Sequence, residues 1–319
     1  MHKPVVAVLR GGPSSEYDVS LQSGGEVLRH LPSQYDRLDV LIDREGVWHI
    51  AGMPRSIDYV LSRSDVVFNA LHGEFGEDGQ IQAILDSHHS KYTGPRRVGA
   101  ALAMNKVLSK KHFSGAGLLV PKHTHVYNDD MDQGIFSVFR TYTLPVVVKP
   151  ISAGSSLGVV VVKSFTELKN AVIEALSKWG EAIVEEYIPG IELTCGVIEN
   201  FRGESYYATL PVEIRAPKDR SFFDYDAKYT GITEKICPAR LSLSDKKRIQ
   251  DAAILAHKAI DAGQYSRADF ILSPKGLYVL ETNTLPGLTE ESLLPKPLKA
   301  VGCEFSHFLE HLIEDAKRR

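Results

Sequence analysis

An apolar run at residues 5–9 breaks at the turn Gly11-Gly12-Pro13-Ser14 and gives way to a stretch, 18–31, in which Val19, Val27, Leu28 and Leu31 share one helical face. Two more strand-like runs follow at 38–42 and 66–70, then a helical stretch at 79–85, and Tyr92-Thr93-Gly94-Pro95 punctuates the end. Strands that alternate with helices predict an α/β fold that begins with a small open parallel sheet, with helices packed on it.

Beyond that first part the punctuation changes. Residues 98–114 read as one helix rich in Ala, Leu and Lys, closed by Gly115 and Gly117. A buried strand at 144–149 precedes a glycine/serine loop, 152–158, and a further strand at 159–162. Ser164 with Glu167 forms a capping box ahead of Phe165, Leu168, Val172, Leu176 and Trp179, which recur at helical spacing. Strands are expected at 182–186, 193–199, 206–214, 267–272 and 277–281, and helices at 244–262, with Gly263 as the stop, and at 305–313. The polar stretch between about 216 and 235 is long for a compact domain, and its Asp, Lys and Tyr content suits a lid. These breaks divide the 319 residues into three domains: 1–96, 97–180 and 181–319.

Charge excludes some partners. With 37 basic and 40 acidic side chains the net charge is −3, so no overall positive field holds nucleic acid or an anionic membrane. Any nucleotide must be bound by local groups. The cysteines Cys195, Cys237 and Cys303 show no zinc spacing and read as free or buried thiols in a reducing compartment. No stretch approaches the ~18–20 apolar residues of a membrane span. The amino terminus lacks a secretory h-region, so a soluble cytoplasmic protein is expected.

The strongest chemical pattern is Arg267-Ala268-Asp269 followed by Glu281-Thr282-Asn283 and Pro286-Gly287. On adjacent antiparallel strands, Asp269, Glu281 and Asn283 would share one face. Three oxygen ligands without sulphur or imidazole suit a hard cation such as Mg²⁺, and Arg267, two before Asp269, can neutralise a phosphoryl group. A solvated strand edge is the plainer alternative. Lys149 ends a buried strand, a costly place for an ammonium unless it meets an anion, and the following Gly154-Ser155-Ser156 can wrap phosphate oxygens. The lysine precedes the glycines, so this is not a Walker loop. Glu185-Glu186-Tyr187-Ile188 and Glu192 can offer an adenine slot and a ribose acceptor, or form an exposed acidic strand end.

In this order the pieces resemble the D-alanine–D-alanine ligase family of the ATP-grasp enzymes, over nearly the whole chain. The matching stretches are Gly11-Gly12 with Ser15-Glu16 and Val19-Ser20, Ala70-Leu71-His72-Gly73 with Gly76-Glu77-Asp78-Gly79, and Tyr92-Thr93-Gly94. They continue with Val148-Lys149-Pro150, Gly154-Ser155-Ser156, Tyr225-Asp226-Ala227-Lys228-Tyr229, Arg267 with Asp269, and Glu281-Thr282-Asn283 with Pro286-Gly287.

The resemblance implies a three-domain ATP-grasp architecture, with ATP held between the second and third domains and D-alanine near the first. It implies that Lys106, Lys149 and Lys228 contact the nucleotide, that Glu185, Glu186, Ile188 and Glu192 hold adenine and ribose, and that Tyr187 packs beside the base. Asp269, Glu281 and Asn283 would hold two Mg²⁺ ions, with Mn²⁺ as a substitute. Arg267 and the Gly287 amide would stabilise a tetrahedral intermediate. Glu16 would take the first ammonium and, with Ser155 and Tyr229, fix the lid. His72 would lie near the first D-alanine, and Ser292 and Leu293 near the second substrate's carboxylate. A homodimer is expected. Asn105 stands where the family commonly has an aspartate, so a salt bridge would be lost there. The implied activity is ATP-dependent joining of two D-alanines through an acyl phosphate, for peptidoglycan precursors. A D-Ala–D-Ser or other dipeptide ligase, and a non-catalytic ATP-binding module, are the alternatives.

Overall fold

A computed structural model describes residues 3–215 and 234–319. Lys228, Tyr229 and all but the last two residues of the expected lid lie outside the described residues. Three sheets organise the rest.

The first sheet has the order β4-β3-β2-β1-β5, built from β1 (Val5–Gly11), β2 (Asp36–Ile42), β3 (Trp48–Ile50), β4 (Met53–Arg55) and β5 (Val66–Asn69). Strand β1 runs parallel to both β2 and β5, as the alternation predicts, whereas β3 and β4 add an antiparallel hairpin at the edge. The hairpin was not expected, because three-residue strands are too short to show alternation. Its turn residues Ala51 and Gly52 both take positive φ, the backbone a two-residue hairpin loop requires.

Alternation along β1 sends Val6 and Val8 to one face and Ala7 and Leu9 to the other. The first face, with Val66 and Phe68, packs on Val27 and Leu31 beside helix α1 (Tyr17–His30) and on Phe308, Leu309, Leu312 and Ile313 of the last helix, 305–318. The second face packs on Val60, Ile81 and Leu85 from α2 (Ile57–Leu61) and α3 (Gln80–Ser87).

The expected helix 98–114 is two helices, α4 (Arg97–Met104) and α5 (Lys106–Gly115). Asn105 breaks them with extended backbone, and its side chain accepts from the amides of Val107 at 3.1 Å and Leu108 at 3.0 Å. Asparagine competes well for such a cap, which is why a continuous propensity reading misses the break. Asn105→Ala is expected to lower stability by about 1 kcal/mol, read as a shift in the denaturant midpoint. Asn105→Asp should leave that midpoint nearly unmoved.

The central sheet, order β6-β9-β7-β8, comprises β6 (His123–Tyr127), β7 (Val146–Pro150), β8 (Val160–Val162) and β9 (Glu181–Glu186). Helices α6 (Met131–Thr141) and α7 (Phe165–Trp179) cover it. Ser164 caps α7 by accepting from the Glu167 amide at 3.2 Å, while Glu167 reaches back to the Lys163 amide at 2.8 Å, one residue before the expected partner.

The third sheet runs β13-β12-β10-β14-β15 with β11 also on β10: β10 (Ile191–Phe201), β11 (Glu204–Ala208), β12 (Val212–Arg215), β13 (Glu234–Ile236), β14 (Tyr265–Ser273) and β15 (Gly276–Asn283). The single strand expected at 206–214 is two strands, interrupted beside Pro211, which has no N–H to offer a ladder. Helix α8 (Leu243–Ala259) packs on this sheet together with Ala103 of α4 and Phe113 of α5. The short helix α9 (Pro295–Ala300), also unexpected, starts on a proline, and α10 (Phe305–Arg318) follows it.

Candidate active site

The antiparallel register of β14 and β15 pairs Asp269 with Glu281 and Arg267 with Asn283. Four polar side chains therefore stand together on one patch of sheet. The Arg267 guanidinium donates to both oxygens of Asp269, at 2.9 and 2.8 Å, and the Thr194 hydroxyl donates to the same carboxylate at 2.6 Å. The Asn283 amide nitrogen lies 3.3 Å from Asp269, and the Lys106 ammonium lies 3.5 Å from Glu281. Burial works against the charge on Arg267, but Asp269, with Glu281 and Glu77, outweighs it and raises the guanidinium pKa above its ordinary value.

Two clefts meet on this patch. The first opens between the central and third sheets. Its polar lining includes Lys106, Lys149, Glu185, Glu186, Tyr187, Glu192, Asp269 and Glu281, and its apolar walls include Val147, Leu157, Val161, Ile188, Ile271 and Leu280. The structure thus gathers every residue assigned to nucleotide binding except Lys228, which is outside the described residues. At its floor Glu185 is buried between two lysines, 3.0 Å from Lys110 and 2.9 Å from Lys149. Burial alone would raise the Glu185 pKa, yet the two ammonium groups hold it down at about 2. Its carboxylate is therefore occupied by lysines in this structure.

The second cleft is lined by Glu16, His72, Ser155, Arg267, Asn283, Gly287, Ser292 and Leu293, together with Glu77, Lys235 and Lys296. Ser155 donates to Glu16 in a short hydrogen bond that closes the glycine/serine loop onto the turn between β1 and α1. Ser155 and Ser156 both take positive φ there, and a Cβ at Gly154 would press on the end of the Glu16 side chain, which would have to shift. Ser292 accepts from the Thr289 amide at 3.2 Å and rims the turn after Gly287. His72 is buried; both ring nitrogens face protein groups, Leu285 O at 2.8 Å and Ser23 Oγ at 2.7 Å, and burial pushes its pKa down to about 4.

A family model described as the D-ala D-ala ligase C-terminus matches residues 113–314, and one for the D-ala D-ala ligase N-terminus matches residues 52–95. The chain belongs to the D-alanine–D-alanine ligase family. A D-alanine–D-alanine ligase from Syntrophobacter fumaroxidans is 39% identical over 314 residues, 98% of this chain and 97% of the relative. One from Halalkalibacterium halodurans is 37% identical over 97% of each chain. Among solved structures, the VanG D-Ala:D-Ser ligase from Enterococcus faecalis superposes with a TM-score of 0.87 at 32% identity, covering 99% of this chain and 100% of the other. A Bacillus anthracis D-alanine–D-alanine ligase complexed with ATP superposes with a TM-score of 0.80 at 27% identity, covering 99% and 98%. The fold is that of the ATP-grasp ligases of this family.

Sequence reasoning gave no role to several residues at the family site. Lys110 is one: Lys106, Ser109, Lys110 and Phe113 form the buried face of α5, and a reading that seeks apolar residues at that spacing discards the lysines. Glu77 is another, a half-buried carboxyl at the second cleft pushed up to about 8 by desolvation and by nearby Glu16. Thr194, across the ladder from Asp269, is a third. No helix among the described residues is long and apolar enough to cross a membrane.

Proposed function

We propose that this protein joins two molecules of D-alanine, using ATP, by way of an acyl phosphate on the first. The observation that carries the proposal is the shared patch: the register pair Asp269 and Glu281 lines one cleft while the next same-face pair, Arg267 and Asn283, lines the other. A phosphoryl group in the first cleft and a carboxylate in the second would meet over the same four side chains.

In this reading Lys106 and Lys149 bind the phosphates, and Glu186, Tyr187, Ile188 and Glu192 line the adenine and ribose end, with Glu185 acting on Lys149. Asp269, Glu281 and Asn283 form an all-oxygen set beside two cationic side chains, which suits a hard divalent ion sharing phosphate oxygens. Two Mg²⁺ ions, when bound, supply charge neutralisation at those oxygens. Glu16 takes the ammonium of the first D-alanine, and that D-alanine's own carboxylate oxygen attacks the γ-phosphorus of ATP with loss of ADP. Arg267 offsets the charge that develops on the transferred group. The neutral amine of the second D-alanine then attacks the acyl carbon, Arg267 and the Gly287 amide receive the oxyanion, and collapse expels phosphate as the amide forms. Ser292 and Leu293 hold the second carboxylate. We further infer a cytoplasmic homodimer and the three-part division 1–96, 97–180 and 181–319, with α4 and α5 packed into the third part's core.

D-Serine is the second reading for the second substrate, favoured by the likeness to a D-Ala:D-Ser ligase structure. A panel of D- and L-amino acids in a coupled phosphate-release assay, with the product identified by mass, decides between them. Release is expected with D-alanine alone, with one dipeptide per phosphate, and is expected to stop on chelation of divalent ions. Release that ignores D-alanine, or yields no dipeptide, would refute the proposal.

A further inference from the structure

The turn that carries Pro286 and Gly287 is fastened to the first lobe by side chains. The Leu285 amide donates to Glu77 at 2.9 Å, and the Thr284 hydroxyl lies 3.4 Å from the same oxygen. The Leu285 carbonyl lies 2.8 Å from His72 Nδ1. The Leu288 amide donates to Ser23 Oγ at 3.3 Å, and Ser23 lies 2.7 Å from His72 Nε2.

These partners settle the proton arrangement. A carbonyl only accepts, so Nδ1 of His72 carries the proton; Nε2 then accepts from the Ser23 hydroxyl, whose oxygen accepts from Leu288. The chain of donors is complete only with a neutral imidazole. On the other side Glu77 accepts from the Gly73 amide at 3.1 Å, so the same carboxyl ties the turn after His72 to the turn before Gly287. Leu285 and Leu288 are both 2% exposed and pack against the Val27 side of the first lobe. An amide that must meet an oxyanion works only if its backbone is already placed, and displacement of about 1 Å can cost on the order of a hundredfold in rate.

We propose that Ser23, His72 and Glu77 are positioning residues that hold the Gly287 amide toward the reacting carbonyl, and that His72 acts through this turn instead of contacting substrate. The inference rests on the ligase reading and deepens it. It also links the lobe that receives the first D-alanine, through Glu16, to the turn that serves the tetrahedral intermediate.

The test uses Ser23→Ala and Glu77→Gln in the full chain. In Ser23→Ala, kcat is expected to fall roughly 10- to 100-fold, with KM for ATP and D-alanine within about twofold of the parent. Inhibition by a phosphinate mimic of the tetrahedral intermediate should weaken by the same factor as kcat/KM, since both report on the oxyanion contact. Hydrogen exchange at the Leu285 and Leu288 amides, which needs no activity, should accelerate. If Glu77→Gln fails to fold, Ser23→Ala still decides. Unchanged exchange with kcat within twofold overturns the inference, as does a D-alanine KM that rises in step with the loss of kcat. A parent enzyme whose turnover ignores D-alanine would instead overturn the ligase reading, with the exchange result unaffected.

Discussion

Arg267→Ala should lose about a thousandfold or more of kcat while binding ATP nearly as well as the parent. The guanidinium is held by two hydrogen bonds to Asp269, and its cross-strand neighbour is Asn283, so it is placed before substrate arrives. On the proposed mechanism it would meet charge that appears on the transferred phosphoryl group and on the oxyanion, and an interaction realised only then changes kcat more than affinity. The substitution also leaves Asp269 without its guanidinium partner in a largely buried place. Nucleotide affinity should therefore be measured by direct titration as well as by KM, to separate lost chemistry from a rearranged patch. Arg267→Lys keeps a charge but not the fork that spans two oxygens, and should recover only a small part of the rate. Turnover of Arg267→Ala within tenfold of the parent would remove Arg267 from the reacting group.

The second large effect is on stability. Glu185→Ala removes the shared anion between Lys110 and Lys149 and leaves two ammonium groups buried together. Stripping one partner from a buried charge set typically costs about 3–5 kcal/mol, so the urea midpoint should fall by a large fraction of its value. The pH dependence follows from the sign of the shift. Glu185 stands at about 2 in the folded protein against an ordinary 4.5, so its contribution is whole above the ordinary value and is lost as pH falls from there toward about 2. The parent should lose stability through that window more steeply than the variant, whose acid limb lacks this group. Adding Lys110→Met to Glu185→Leu should restore part of the midpoint, since an apolar replacement of a buried pair is often tolerated. A Glu185→Ala midpoint equal to the parent's would mean that the two lysines find other anions.

Much of the site could be read from residue order because its parts lie on regular elements. Glu281 and Asn283 are two apart on a strand, and a strand sends such residues to one side; Arg267 and Asp269 obey the same rule on the neighbouring strand. The α/β alternation of the first part rests on runs long enough to display a period. What escaped depended on separations along the chain that no local pattern contains. Ser23 meets the Leu288 amide and Glu77 meets Leu285, contacts formed only when the first and third sheets dock. Lys110 was lost for a different reason: a charge on a helix is ordinarily a solvated one, and only the depth of α5 makes it a partner of Glu185. The break at Asn105 came from a side chain that caps the next helix, and the strand break beside Pro211 from a missing donor.

The last helix, 305–318, covers the face of the first sheet made by Val6, Val8, Val66 and Phe68. Strands made early therefore wait for a helix made late. During synthesis the part of that apolar face that α1 leaves open has no cover until residues 305–318 have emerged from the ribosome, so this early-made lobe is sealed late.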